Sequence, residues 1–462
     1  MLLVTSTASS AFAQNYSFDA RRIALGGAGG TPNVASKIVE RQRRYTSILI
    51  PVGLIKVLSD VRVFFPTRDD FDFSRAVEYG TSPLHQVFGR SEDITAGSLL
   101  RDIVKRRVDP DLNSYRRSER GSGIDASTYY EGLVALNWGH TFMLHQDDRG
   151  FQGIYAGAGP YLAANAFAEF DGELVDILNA SGDRYVPAAS LGLGGGETDQ
   201  LAAAITGGYR ARFPVFATAG AGASRNGMYV AANFHYLHGL RFDEFDARLQ
   251  LDTDSNGLLM PDPPETPFTL DWNTSRDGYG MALDFGVAFV RNRWDFGAGV
   301  GGVANQITWK NIRQNKLSLV SLFNESEWIY NKQLIGRGTA RIELPVTYTG
   351  DVSYHREKWS LYTEYSRGFE GNNFRSGLEY RLGGVELRGA GRISQGNWYP
   401  SGGVGFNVTR NFGVDAAFFG TKTFLEPSAH LGLALSFRID KGRPSSPPDP
   451  APTQVPQSGS GS

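Results

Sequence analysis

Cysteine is absent from the 462 residues of this chain, and other common features are missing with it. The lack of cysteine would be unusual in a cytosolic protein of this size, whereas in an exported protein it removes any risk of wrong disulfide pairing. The formal net charge is only −2, so the composition gives no indication of a nucleic-acid partner. No apolar run reaches the roughly eighteen residues that a membrane-spanning helix needs. A membrane protein built from β-strands is not excluded, because its apolar residues alternate with polar ones and form no long apolar run.

Motifs for common catalytic sites are also missing. The sequence has no Gly-x-Ser-x-Gly elbow, no P-loop and no His-Glu-x-x-His. His235 and His238 lie three apart in a strand-like run, so they face opposite sides and cannot share a metal ion. Asp252 to Gly257 matches the first half of a calcium loop, but Pro263 occupies the twelfth position, where an acid is expected. We therefore expect a non-enzymatic protein without cofactor or metal, and we interpret this stretch as a surface turn.

The strongest positive signal is alternation of apolar and polar residues with a period of two. From Ser428 to Arg438, every odd position is apolar and every even position is small or polar. Because successive side chains of a β-strand point to opposite faces, this segment has one apolar and one polar face. The pattern recurs in hairpin after hairpin. It is obligatory in a membrane barrel, whose lipid face must be apolar while the lumen can be polar. A large soluble β-sandwich is the alternative.

Gly383-Gly384 allows a test of strand register. Two glycines between two strands fit a two-residue hairpin turn, which sets Leu382 opposite Val385. The same register places charges of opposite sign across from each other, and such pairs contribute about 0.2–1 kcal/mol each. We therefore predict that four charged residues line the lumen as structural ion pairs and do not form a ligand site. They are Glu379, Arg381, Glu386 and Arg388.

The chain divides into four regions. A signal peptide is predicted over 1–13, because an apolar start leads to Ala11-Phe12-Ala13, a small-x-small cleavage site; a disordered tail is the alternative. A polar, Gly-rich segment covers 14–44. An all-β region with about twelve to fourteen antiparallel strands covers 45–440, with inserts at 66–127, 171–200, 252–275 and 311–336. The Pro- and Ser-rich tail, 441–462, cannot bury apolar surface and is predicted to be disordered.

One amphipathic helix is predicted inside the first insert, over 94–108. Its apolar residues recur near helical spacing and its basic residues lie between them. Two interpretations stand equally: the helix lies against lipid headgroups or gates the barrel mouth, or it packs on the rim as an ordinary helix.

The last strand carries a resemblance to a known signal. Its residues His430, Gly432, Leu435 and Phe437 form a pattern that resembles the C-terminal signal of outer-membrane proteins. That signal is read by the barrel-assembly machinery, although here Phe437 is followed by the tail. The resemblance implies a protein of the bacterial outer membrane, with membrane lipid and that machinery as partners.

The N-terminal segment carries a second resemblance. The stretch from Asp19 to Gly30 is similar to the opening of long-chain fatty-acid transporter-like barrels, including related conjugal-transfer and secretion-associated barrels, and the stretch from Phe374 to Arg381 is similar to their closing hairpins. The resemblance implies a barrel of about fourteen strands whose lumen is plugged by an N-terminal hatch. The hatch residues would be Arg21, Arg22, Gly26, Gly27, Gly29 and Gly30. Members of this superfamily that transport carry hydrophobic molecules, and a gap in the wall is one exit route.

Proline marks the position where we expect such a gap. Pro160 lies inside a run that otherwise reads as a strand, and Pro214 and Pro345 are similarly placed. Since proline has no N–H to donate, it is usually excluded from central strands. Pro160 is therefore the predicted kink or opening in the wall, and a strand end or an ordinary bulge is the alternative.

Two functions follow from this sequence. The first is passive transport of hydrophobic small molecules across the outer membrane. The second is a structural or partner-binding barrel of a secretion or conjugation assembly, closed to solutes, with its long inserts as partner surfaces. A hydrolase is poorly supported by the motifs.

Overall fold

The structure, a computed structural model, describes a defined set of ranges in the chain. They are 19–28, 33–40, 45–50, 99, 102, 107–115, 127–135, 137–147, 150–215, 226–260, 267–319, 328–368, 371–394, 396–409, 412–421 and 430–440. The predicted signal peptide, the C-terminal tail and most of the insert at 66–127 lie outside these ranges, as do Gly29, Gly30 and Pro263.

Strands dominate the described chain. Those at the start of the wall are β1 Tyr45–Ile50, β2 Ser127–Ala135, β3 Trp138–Gln146, β4 Phe151–Phe170, β5 Ser190–Phe213, β6 Gly227–Asp252, β7 Phe268–Ser275, β8 Asp277–Arg291 and β9 Trp294–Leu319. The others are β10 Trp328–Glu343, β11 Thr347–His355, β12 Trp359–Gly368, β13 Gly371–Leu382, β14 Val385–Ser394, β15 Asn397–Asn407, β16 Phe412–Thr421 and β17 His430–Asp440. Short helices are α1 Ala20–Ala24, α2 Ser36–Glu40 and α3 Gly172–Asn179, with a 3₁₀ turn at Leu112–Tyr115.

These strands form one antiparallel sheet that closes into a barrel. The last strand, β17, pairs with β16 on one side and with the first strand, β1, on the other, where Tyr45 lies opposite Asp440. The predicted all-β closed barrel is therefore confirmed. Closure matters because an open sheet edge would leave backbone donors and acceptors without partners.

Three paths across the wall are each divided into two strand segments, and the division between β2 and β3 includes Leu136, which lies outside the described residues. The segments β2 and β3 both pair with β4. The segments β7 and β8 both pair with β6 on one side and with β9 on the other. The segments β10 and β11 both pair with β9. Since each of these pairs shares one path, the 17 segments follow fourteen paths. Pro345 lies in the interval between β10 and β11, whereas Pro214 follows the end of β5.

Strands extend further into three predicted inserts than the sequence pattern indicates, so those insert bounds are wrong. β5 begins at Ser190 inside 171–200, β7 occupies the end of 252–275, and β9 and β10 reach to Leu319 and from Trp328 inside 311–336. Backbone ladders do not require an apolar face. Where a strand continues beyond the apolar, lipid-facing band, its residues no longer alternate, and its sequence resembles that of a polar loop.

The two faces of the wall differ in the way a membrane barrel requires. Leu361, Phe374, Leu378 and Leu382 are 40–51% exposed, whereas Glu379 between them is fully buried. The outer belt of large exposed apolar side chains continues around the barrel through Phe142, Ile154, Ile205, Phe234, Phe285, Phe296, Leu387, Ile393, Phe406, Phe418, Phe437 and Ile439. Polar residues inside and apolar residues outside reverse the order of a soluble sandwich. In the described part of the chain, no helix combines the length and the apolar character needed to span a bilayer.

The predicted register at Gly383-Gly384 is confirmed. Leu382 lies opposite Val385, and the next residues pair as predicted: Arg381 with Glu386, Tyr380 with Leu387, and Glu379 with Arg388. Gly383 has φ of +60°, a left-handed conformation that a primed hairpin turn needs and that glycine adopts without strain. The turn thus fixes which side chains face inward on both strands.

Candidate functional site: the inner face of the barrel

A short N-terminal helix, α1, lies against the inner face of β14–β17. Asp19 caps the helix by accepting a hydrogen bond from the backbone N–H of Arg21 at 3.0 Å. Ala20 and Ala24 are fully buried, and they pack with Ile23 against Ala417, Phe419 and Ala434 of the wall. The N–H of Ala20 donates to the Ser436 hydroxyl at 3.3 Å. Small side chains on both surfaces allow this close approach.

Arg21 reaches from α1 into a buried cluster of charges. Its guanidinium makes two hydrogen bonds to the Glu379 carboxylate, at 2.7 and 3.2 Å, and one to the Tyr362 hydroxyl at 3.2 Å. The side chains of Arg21 and Glu379 are 6% and 1% exposed. A two-point contact between guanidinium and carboxylate fixes orientation as well as distance, so Arg21 anchors the N-terminal segment to β13.

The cluster continues along the wall from Glu379. Arg381 and Arg388 also donate to Glu379, at 2.8 and 3.1 Å, and Arg388 donates to Asp415 at 2.7 Å. Glu386 accepts from both Arg388 and Arg438. Four arginines thus meet three carboxylates, and all four charged residues predicted from the hairpin register belong to this set. We call the inner face of β12–β17 with this cluster the charged half.

The turn after α1 depends on glycine. Gly26 and Gly27 have φ of +67° and +85°, and the N–H of Gly27 bonds to the Arg22 carbonyl to close the helix end. A β-carbon on Gly26 would lie 3.3 Å from the Gly391 carbonyl, and one on Gly27 would lie 3.3 Å from the Arg375 side chain. Arg375 is itself paired with Glu364 at 2.8 Å. Arg22 lies near Asp19, at 4.0 Å, and is partly exposed.

The second N-terminal helix, α2, contacts a different part of the wall. Asn33 accepts the backbone N–H groups of Ala35 and Ser36, each at 2.9 Å, and so caps the helix. Val34, Ala35, Ile38 and Val39 pack against Tyr229, Ala231, Ala288 and Val290 of β6 and β8. Because α1 contacts β14–β17 and α2 contacts β6 and β8, the N-terminal segment touches two sides of the interior.

Apolar side chains fill the centre of the inner face of β4–β9, which we call the apolar half, and buried polar residues such as Gln200 and Thr206 lie around this centre. Its centre is Trp309, which is fully buried, stacks on Phe242 with ring centroids 5.4 Å apart, and donates to Gln200 at 2.9 Å. β-Carbons on Gly239 or Gly278 would lie 2.6 or 2.5 Å from its ring. The buried cluster also contains Tyr161, Ala163, Ala202, Ala204, Leu237, Ala282, Ile307 and Ile312.

One interrupted path borders this apolar cluster. The β2–β4 ladder ends at Ala135 opposite Tyr161, and the β3–β4 ladder begins at Trp138 opposite Ala158. Gly159 and Pro160 of β4 therefore face the interval between β2 and β3. β4 itself runs through Pro160 and stays paired with β5, where Ala203 is its partner. The kink or wall opening predicted at Pro160 stays a prediction, because the ladder between β4 and β5 continues through this residue and the division lies in the neighbouring path.

Residues of the predicted assembly signal lie in β17. Leu435 and Phe437 are two residues apart and lie on the same apolar face of the strand. The Phe437 ring stacks on Phe412, with ring centroids 5.7 Å apart. Gly432 faces inward, where the Phe419 ring lies against it. His430 begins the strand opposite Thr421. The alternation predicted for this strand is present, while its recognition by an assembly machinery stays a prediction.

The stretch read as half a calcium loop forms a turn around Asp254. Its carboxylate accepts the backbone N–H groups of Asn256 and Leu258, at 2.8 and 3.0 Å. These hydrogen bonds hold the pKa of Asp254 below its usual value. The carboxylate therefore serves the turn, as the surface-turn interpretation expects. His235 and His238 face opposite sides of β6, as predicted, with only His235 inside.

The rim beyond the apolar half carries a separate apolar cluster. Leu99 and Val108, from the predicted amphipathic helix, are buried there with α3 and with Tyr115. Burial raises the pKa of Tyr115 to about 12. This placement favours a helix packed on the rim over one lying on lipid headgroups.

Two parts of the interior were not found from sequence. The contact between Arg21 and Glu379 joins residues 358 apart, and no local pattern links them. The apolar cluster around Trp309 was missed because Ile307 and Trp309 alternate with polar residues as in a lipid-facing strand, and the pattern does not show that this apolar face points inward. Two sequence signals pointed to residues of this site: the register at Gly383-Gly384 for the four charges, and the resemblance of the stretch from Asp19 to Gly30 for Arg21, Arg22, Gly26 and Gly27.

Comparison with known proteins gives fold neighbours only. No family profile matches the chain, and no curated protein matches it. The toluene transporter TbuX of Ralstonia pickettii is similar over 73% of this chain and 93% of its own, at 12% identity and a TM-score of 0.33. The monoaromatic hydrocarbon channel CymD covers 80% and 97%, at 10% identity and 0.35.

A Pseudomonas aeruginosa FadL homologue covers 73% of this chain and 94% of its own, at 11% identity and a TM-score of 0.31. The architecture described above rests on the ladders and burial of this chain, independently of these similarities.

Proposed function

We propose that this protein is a non-enzymatic channel of the bacterial outer membrane through which hydrophobic small molecules cross passively. The N-terminal segment would act as the plug, held at one side by Arg21 and at the other by α2. The exit would be the interval between β2 and β3. Membrane lipid would surround the outer belt, and β17 would be read by the barrel-assembly machinery during insertion.

The observation that carries this proposal is that the buried apolar cluster reaches the wall beside Pro160. Tyr161 belongs to the buried apolar cluster and also ends the β2–β4 ladder. A barrel with a water-filled lumen does not need an apolar inner surface. Such a surface offers a path for apolar molecules that water-filled pores exclude. Pro160 supports the exit, because it cannot donate a backbone hydrogen bond to close the interval.

The test is uptake of an uncharged fluorescent probe, N-phenyl-1-naphthylamine, by proteoliposomes that contain the purified barrel. Pro160→Val restores a backbone N–H opposite the interval, so probe uptake should fall severalfold. Pro214→Val is the matched control, because Pro214 lies after the end of β5 and its replacement should leave uptake unchanged. Equal uptake by all three proteins, with normal heat-modifiable migration, would contradict the exit.

A closed scaffold barrel is the second candidate, and one observation favours it. Glu379 and Asp415 are fully buried, so the charged half leaves little open lumen. Native mass spectrometry separates the two functions: a co-purified apolar molecule supports the channel. Empty barrels that show no probe uptake would instead support a scaffold with its partner surfaces on the long loops.

A further inference from the structure

Two short turns lie side by side at one rim of the barrel. One joins β8 to β9 over 292–293, and the other joins β11 to β12 over 356–358. The N–H of His355, just before the second turn, donates to the carbonyl of Arg293 in the first turn at 2.9 Å. The connection that carries α3 lies at the opposite rim. Because outer-membrane barrels have short turns at the periplasmic rim and longer loops outside, both turns belong to the periplasmic rim.

The two turns together carry three basic side chains and one acid. Arg293, Arg356 and Lys358 are all exposed, and Glu357 is the acid between the last two. Asp295, the nearest acid along β9, points to the inner face, where its carboxylate lies 3.2 Å from a histidine ring nitrogen. This part of the rim therefore presents an excess of positive charge to its surroundings.

Three aromatic rings lie on the outer face directly beside these turns. The Tyr354 ring lies between Trp294 and Trp359, with their ring centroids 4.6 and 5.2 Å away. Trp294 is 44% exposed and shares the outer belt with Phe296, whose ring stacks on it with centroids 5.8 Å apart. Tryptophan and tyrosine concentrate at the boundary between the acyl chains and the headgroups of a membrane. The three rings therefore mark the depth at which the basic side chains meet lipid headgroups.

Both arginines of the turns converge on one hydroxyl of these rings. Nε of Arg356 donates to the Tyr354 hydroxyl at 3.3 Å, and its guanidinium lies 6.0 Å from the centre of the Trp359 ring. Arg293 also donates a hydrogen bond to the Tyr354 hydroxyl. Two guanidinium groups so close together repel each other, and an anion that binds both relieves this repulsion. Phosphate is an anion whose geometry suits the planar N–H groups of arginine.

We propose that these two turns, with Trp294, Tyr354 and Trp359, bind the phosphate headgroup of an anionic phospholipid in the periplasmic leaflet of the outer membrane. The acyl chains of that lipid would lie along the outer belt, on Phe296 and Leu361. A zwitterionic headgroup brings its own cation, which the basic turns repel, so the site selects a net negative charge. This site rests on the proposed membrane location and is independent of transport.

Native mass spectrometry of the purified barrel in detergent, titrated with phosphatidylglycerol or with phosphatidylcholine, tests the site. The parent should retain phosphatidylglycerol at concentrations where phosphatidylcholine is lost. Arg356→Gln and Arg293→Gln should each weaken phosphatidylglycerol binding about fivefold, the effect of one basic residue at a membrane surface, and should leave phosphatidylcholine binding unchanged. Arg356→Lys keeps the charge without the planar donors, so it should lose less than Arg356→Gln. The two arginines lie in separate turns, so either variant decides if the other does not fold.

Arg248→Gln is the matched control, because Arg248 is 78% exposed but lies at the opposite rim, and it should leave lipid binding unchanged. Equal weakening by Arg248→Gln and Arg356→Gln would overturn the site, as would equal binding of both lipids by the parent. Displacement of the lipid by an equal concentration of glycerol phosphate would assign the turns to a soluble anion and overturn the lipid. Uptake of the apolar probe should be the same in all these proteins, so failure of the channel leaves this test intact. A parent that stays dispersed without detergent would overturn the membrane location together with the site.

Discussion

The charged half and the apolar half of this barrel solve the same problem in different ways. Each must fill an interior that the wall encloses. The charged half does so with ions that are costly to bury, so the four arginines of the cluster, including Arg21 from the N-terminal segment, are paired with carboxylates. At the centre of the apolar half, Trp309 and its neighbours fill the space by apolar packing. The charged cluster therefore depends on matched partners, whereas the apolar centre depends on shape.

The largest expected effect comes from breaking the charged half at its centre. Glu379→Ala leaves Arg21, Arg381 and Arg388 without their shared carboxylate, and should destabilise the barrel by about 4 kcal/mol. Arg21→Met should cost less, because Glu379 keeps two arginine partners. The midpoint of urea unfolding in detergent measures both.

The control for this comparison is an ion pair on the surface. Glu343 lies 2.8 Å from Arg341, but their side chains are 68% and 60% exposed. Glu343→Ala should therefore change stability by less than about 1 kcal/mol. Equal effects of Glu379→Ala and Glu343→Ala would contradict the structural role of the charged half.

The second largest effect on stability should come from removing the central side chain of the apolar half. Trp309→Ala removes a fully buried ring, its stacking on Phe242 and its hydrogen bond to Gln200, and should destabilise the barrel by about 3 kcal/mol. Trp398→Ala is the matched control, because Trp398 is 65% exposed on the wall. Unfolding followed by heat-modifiable migration avoids the tryptophan signal that both variants change. A loss no larger for Trp309→Ala than for Trp398→Ala would show that the ring is not packed as described.

The sequence predicted the charged half better than the apolar half. The turn at Gly383-Gly384 and the strict alternation of β13 and β14 fixed the inward charges, because register follows from turn length. In the apolar half, Ile307 and Trp309 alternate with the polar residues Gln306, Thr308 and Lys310, so periodicity shows an apolar face but not that this face points into the barrel. Long-range contacts such as Arg21 with Glu379 depend on the closed barrel itself. The opening predicted at Pro160 stays a prediction, since proline marks a missing backbone donor but does not show whether the wall opens there.

The smallest effect lies outside both halves, in the loop that follows β6, and it shows how an exposed carboxylate differs from the buried ones. The folded turn holds the pKa of Asp254 below its ordinary value, because the backbone N–H groups of Leu258 and Asn256 bond to the carboxylate. A lowered pKa means that the turn is fully stabilised above the ordinary value and loses this contribution as the pH falls through the lowered pKa. Amide exchange at Asn256 and Leu258 should therefore become faster at acid pH, relative to its intrinsic rate. Asp254→Asn keeps an acceptor oxygen without a titrating group, so its protection should not change with pH. Protection that depends on pH equally in both proteins would assign the effect to another group.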